Sequence, residues 1–129
     1  MFLNPSSVAA PSSSYSHGVL MGAQSKRLIV SGQVGVRPDG SIAEGIQAQT
    51  EQAIDNLFNV IAAAQMKVTD IVKITTFLTS ADDLAGMREV RSAKFGAHAP
   101  ASTLLIVAGL ANPKFLIEIE AEAVVEIPR

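Results

Sequence analysis

From Phe115 to Ile127 the chain alternates, so that Phe115, Ile117, Ile119, Ala121, Ala123, Val125 and Ile127 share one face while Glu118, Glu120, Glu122 and Glu126 take the other. A period of two is that of an extended strand, and an apolar face opposite a charged one calls for a sheet covered on one side. The cover has to come from the rest of the chain.

Two stretches supply it. Between Ile46 and Ala64, apolar residues at Ile46, Ala53, Ile54, Leu57, Ile61 and Ala64 recur at three- and four-residue steps, which predicts an amphipathic helix. Ser80-Ala81-Asp82-Asp83 is a capped helix start, with acids at the positive end of the dipole, and this second helix runs to Phe95 with Gly96 as its stop. Ile71 to Thr79, rich in Ile, Val, Thr and Phe, reads as a strand. Ser102 to Ala108, nearly all apolar, reads as a central strand covered on both faces. His17–Met21 and Arg27–Val36 read as two further strands, with Gly22-Ala23-Gln24-Ser25 as a hairpin turn between them. The order predicts an α+β fold, a mixed sheet with both helices packed on one face. At 129 residues it is one domain, placed at 15–129, behind a flexible or surface-lying arm over 1–14 rich in Ser, Pro and Ala.

Composition narrows the function classes. Hydrophobic residues are 48% of the chain and charged ones 17%, leaving apolar surface for a second subunit to cover. Ten basic and twelve acidic residues give a net charge of −2 without a basic stripe, which speaks against nucleic acid. The absence of cysteine suits a reducing compartment, and the expectation is a cytoplasmic protein. The longest apolar run, Leu104–Ala111, is broken by Gly109 and is far short of the roughly 20 residues that span a bilayer. Residues 1–14 lack the basic start and apolar centre of a secretory signal.

Single residues invite ordinary explanations first. Glutamates on an alternating strand are usually a solvated face. Arg88 and Arg91 fall beside Leu84, Met87 and Phe95 at about 100° per residue, on the buried side of the second helix, where they either snorkel past the rim or serve a cleft. Tyr15 is the only tyrosine. His17 and His98 have no ligand-spaced neighbours, so no metal is expected, and no cofactor either. Ser31-Gly32-Gln33-Val34-Gly35 misses the phosphate-loop patterns and reads as a bulge or a close backbone approach. No nucleophile-elbow sequence surrounds Ser31 or Ser102.

Taken together, these segments resemble the Rid family, the reactive intermediate deaminases, also called YjgF-type or L-PSP endoribonuclease-like. Tyr15-Ser16 matches the family's Pro-Tyr-Ser with Ser14 in place of proline, and Ser31-Gly32-Gln33 matches its Ser-Gly-Gln. Gln49-Thr50 through Asn56-Leu57 matches its first helix. Pro100-Ala101, Thr103, Leu105, Ala108 and Leu110, followed by Ile117-Glu118-Ile119-Glu120-Ala121, carry its C-terminal signature. The resemblance implies a chorismate-mutase-like fold, a homotrimer with clefts between subunits, a small-molecule ligand, and hydrolysis of imines or enamines. It implies Glu120 as the residue that orients water; on that pattern Tyr15 closes the cleft or bonds the substrate, Ser31, Gly32, Ser102 and Leu104 line it for binding, and Arg88 is the candidate to rescue anion binding from a new direction. Where the family has Pro-Ala-Arg, this chain has Pro100-Ala101-Ser102; the family's helix asparagine is Arg88, and the cysteine common two residues after the arginine is Leu104. Ser102 lacks the charge and the paired donors of a carboxylate anchor, so two readings stand: a non-arginine Rid deaminase, or a metabolite-binding or chaperone-like homologue without turnover. Ribonuclease activity, suggested by the family's older name, fits the mildly acidic composition poorly.

Overall fold

The computed structural model describes every residue except Ser13, Pro128 and Arg129, so the arm's Ser13 and the domain limit placed at residue 129 lie outside the described residues. Its strands are β1 (Phe2–Leu3), β2 (Gly18–Val19), β3 (Ser25–Val34), β4 (Ile71–Leu78), β5 (Ala101–Ile106) and β6 (Ile117–Glu126), with helices α1 (Ile46–Ala63) and α2 (Leu84–Phe95). The main sheet has the order β3-β6-β4-β5, antiparallel except for the parallel pair β4–β5.

The alternating strand is thus β6, with β3 on one side and β4 on the other. Ile117, Ile119, Ala121 and Ala123 are buried with Val30, Ile71, Ile74 and Leu78 beneath Ile54, Leu57 and Ile61 of α1 and Met87 and Phe95 of α2. The α+β class and the two covering helices are therefore as the pattern indicates. Ser80 Oγ accepts from Asp82 N at 3.1 Å, and a 3-10 turn over Ala81–Asp83 leads into α2, which ends at Gly96. Among the described residues no helix is long and apolar enough to cross a membrane.

Two expectations fail. The segments flanking Gly22–Ser25 do not form a hairpin: β2 pairs with β1, while β3 pairs along its length with β6. Gly22 N donates to Glu126 Oε1 at 3.1 Å and Ile127 N to Gln24 O at 2.9 Å, so this stretch extends the β3–β6 ladder rather than turning back. The second concerns Ser102–Ala108. The strand that forms there, β5, is an edge strand, and Leu105 and Ile106 remain exposed.

A tie between the helices gives a pH-dependent test. Lys94 Nζ lies 2.7 Å from Asp55 Oδ1 and 3.6 Å from Glu51 Oε1, and the bond to Asp55 raises the Lys94 pKa above 10.5. A folded value above the unfolded one means the contribution is whole below 10.5 and is lost as pH rises through the folded value. As a partly solvated pair it contributes about 0.2–1 kcal/mol. The urea midpoint of Lys94→Met should be lower than wild type at neutral pH, and the gap should close at alkaline pH.

Candidate functional site

The sheet face away from the helices carries the acids. On β6 it presents Glu118, Glu120 and Glu122, which pair with Phe77, Thr75 and Lys73 of β4. Two of the outward glutamates are already engaged: Glu122 Oε2 is 2.9 Å from Arg27 Nη2, and Glu126 accepts from Gly22. Glu118 and Glu120 have no hydrogen bond or ion pair among the described residues.

These two differ in surroundings. Val30 pairs with Ala121 and Gln33 with Ile119, so Ser31 and Gly32 together stand opposite Glu120 alone, which makes a bulge. The bulge brings Gly32 under the Glu118 carboxylate: a Cβ on Gly32 would stand 2.7 Å from Glu118 Cδ. Gly32 therefore satisfies both sequence readings, bulge and close approach. Glu118 is half-buried over that glycine, whereas Glu120 is exposed beside a hollow of about 150 Å³ lined by Ile29, Lys73, Thr75 and Glu122. Lys73 Nζ donates to Thr103 Oγ1 at 2.6 Å; burial lowers its pKa, and Glu120 and Glu122 oppose that shift.

The remaining expected site residues lie elsewhere. Ser102 pairs with Ile74 and Leu104 with Thr76, which places both on the helix side of β5. Tyr15, half-buried and edge-on to His17 with ring centres 5.5 Å apart, belongs to a segment fastened to the start of β5. There Ser16 N donates to Pro100 O at 3.1 Å, Ser16 Oγ to Ala99 O at 2.6 Å, and Ser16 bridges Ala101. Arg91 is buried and donates from Nη2 to Ser14 O at 2.9 Å. Arg88 is exposed, so of the arginines expected on the buried side of α2 only Arg91 is there.

One chain therefore holds the expected site in two pieces. Ser31, Gly32 and Glu120 lie along the β3–β6 side of the open face, and Tyr15, Ser102 and Leu104 lie at the β5 edge. Three strand spacings separate β3 from β5, roughly 14 Å. A cleft of about 520 Å³ between Gly40–Gly45 and Pro113–Leu116 includes none of these residues. Its buried Gln49 is already used, donating to Lys114 O at 2.9 Å and accepting from Leu116 N at 2.8 Å, so we give the cleft no chemical weight. Among the described residues no group of three or more His, Cys, Asp or Glu side chains is placed to hold a metal ion.

Sequence reasoning named Gln49 only within a helix match and did not single out Lys73 or the Glu118–Gly32 contact. Only the last had a signal, the glycine on a strand that pairs with the acidic row.

Known proteins resemble this chain in sequence and fold. The Endoribonuclease L-PSP family model matches residues 6–125, nearly the whole chain. A 2-iminobutanoate/2-iminopropanoate deaminase of Salmonella typhimurium is 40% identical over 115 residues, which are 85% of this chain and 86% of that protein. A protein of unknown function of the Rid family from Yersinia pestis superposes with a TM-score of 0.84 at 31% identity, covering 97% of this chain and 98% of that one. Escherichia coli TdcF, solved with bound serine, superposes with a TM-score of 0.74 at 34% identity, covering 87% and 88%. The chain belongs to the endoribonuclease L-PSP, or Rid, family, whose relatives include proteins named as imine deaminases.

Proposed function

We propose that this protein hydrolyses imines or enamines of small metabolites, releasing ammonia and a carbonyl compound, in clefts between the subunits of a homotrimer. The observation that carries the reading is the Glu118 carboxylate, unpaired among the described residues and seated on Gly32 at the bulge. In the reaction a carboxylate takes a proton from water, the hydroxyl adds to the C=N carbon and the nitrogen is protonated. The carbinolamine then collapses, ammonia leaves and the carboxylate returns to its charged form. The resemblance pointed to Glu120 for this role; contact with Gly32 and partial burial favour Glu118, with Glu120 beside it on the same face. Backbone groups at Ser31 and Gly32 fix polar substrate atoms, Tyr15 closes the cleft, and Ser102 and Leu104 line its far wall.

The separation of the two groups of residues supports the trimer, because a neighbouring copy would bring a β5 edge to another copy's bulge. So does the open face, where Ile29 is 60% and Leu105 47% exposed. Sedimentation of the wild type should give a trimer, and Leu105→Glu, which puts a charge on that face, should shift the mass toward the monomer.

Ser102 favours a second reading, a metabolite binder without turnover. Replacing an anchoring arginine by serine removes a charge-assisted pair worth about 1.5–3 kcal/mol. The two readings separate when an enamine is generated in the presence of the protein and followed by its absorbance. A hydrolase shortens its lifetime and loses that effect in Glu118→Gln, whereas a binder leaves the lifetime at its value in buffer.

A further inference from the structure

We infer that Arg91 is the carboxylate anchor of this protein, a guanidinium on α2 that recognises 2-keto and 2-imino acids in place of the arginine missing at position 102. Arg91 is 9% exposed between Met87 and Phe95 on the buried face of α2, and its only hydrogen bond among the described residues is to Ser14 O. No acid lies within ion-pair distance of it among those residues. The carboxylates of the neighbouring helical surface are engaged elsewhere: Glu51 and Asp55 with Lys94, and Glu89 with Gln47. Glu118, Glu120 and Glu122 point away on the opposite face of the sheet.

A buried guanidinium with one carbonyl partner lacks its counter-charge, and such a group is costly to keep unless an anion joins it. Burial, followed by the neighbouring Arg88, lowers the Arg91 pKa, the direction expected of a cation without an acid beside it. Its free N–H groups form the planar fork that takes both oxygens of a carboxylate.

Place matters as much as charge. Arg91 holds the carbonyl of Ser14, Tyr15 follows, and Ser16 is fastened to Ala99, Pro100 and Ala101, the residues leading directly into Ser102. The charge lost from β5 thus returns from α2 into the same knot of chain, beside the residue that closes the proposed cleft. Arg88, one turn earlier and exposed, gives an approaching anion its first cation. The inference rests on the proposed reaction for the natural ligand, but binding is measurable without turnover.

Tyr15 is the only tyrosine and there is no tryptophan, so intrinsic emission reports this knot alone. The probes are pyruvate and its neutral amide, pyruvamide, titrated against the intact protein. The wild type should bind pyruvate, and Arg91→Met should weaken it by about tenfold or more while pyruvamide is unchanged. Arg91→Lys, which keeps the charge but not the fork, should fall between, and it decides the matter if Arg91→Met does not fold: selective weakening of pyruvate supports the anchor and wild-type binding overturns it. Absence of pyruvate binding by the wild type, by emission and by calorimetry, would overturn it. So would equal loss of both probes, or loss seen only where the oligomer has dissociated. A protein that releases no ammonia yet binds pyruvate through Arg91 would remove the proposed reaction and leave the anchor standing.

Discussion

Glu118→Gln should lower kcat for imine hydrolysis by about 10²–10⁴-fold and change KM far less. Glutamine fills the same space over Gly32 and can still hold water by a hydrogen bond, but it cannot take the proton. A loss confined to kcat is therefore the mark of a general base, and a rise in KM alone would mark a residue that only shapes the cleft. Glu120→Gln should cost less, because Glu120 is exposed beside Lys73 rather than seated on Gly32. If the two variants change places, with Glu118→Gln fully active and Glu120→Gln inactive, the working carboxylate is Glu120. Steady-state rates on both, with circular dichroism to confirm folding, decide between them.

Gly35→Ala should destabilise the fold by about 1–3 kcal/mol, by forcing an extra methyl into a filled contact. A Cβ at Gly35 would stand 2.7 Å from Gln49 Cα and 2.8 Å from its Cβ, so the obstacle is the backbone of α1 and not a flexible side-chain end. The helix has to retreat. In doing so it pulls on Gln49, whose amide bonds Lys114 O and Leu116 N and so fixes the entry to β6. The strand that carries Glu118 begins immediately after, and activity should fall along with the urea midpoint. Gly109→Ala, at a glycine with nothing near its missing Cβ, should leave the midpoint almost unchanged.

The fold was legible where a local period decides it. Alternation marked β6 and its buried face down to Ile117, Ile119, Ala121 and Ala123, and helical spacing marked α1 and its Ile54, Leu57 and Ile61. Pairing was not legible in the same way, because period says which face is buried and nothing about which strand lies alongside. Hence the hairpin expected at Gly22–Ser25, which the pull of β6 on β3 prevents, and the central strand expected at Ser102–Ala108, which is an edge. An apolar run reads as covered whether its own chain or a second copy does the covering.

Much the same holds for the site. The glycines of Ser31–Gly35 at the end of a strand marked the bulge, and Gly32 is where a close approach was expected. Helical angle did not separate Arg88 from Arg91, since three residues along a helix differ by only about 60° and the boundary of burial falls between them. Nor does a row of glutamates tell which one rests on a glycine of the adjacent strand. That depends on where the extra residue of the bulge falls, a property of pairing.

The most direct measurement is the yield of ammonia and pyruvate from freshly generated 2-iminopropanoate in the presence of purified protein. Ammonia and pyruvate should appear in equal amounts, at a rate proportional to protein concentration and well above that in buffer. Release no faster than buffer, both from this imine and from imines without a carboxylate, would contradict imine hydrolysis by this protein.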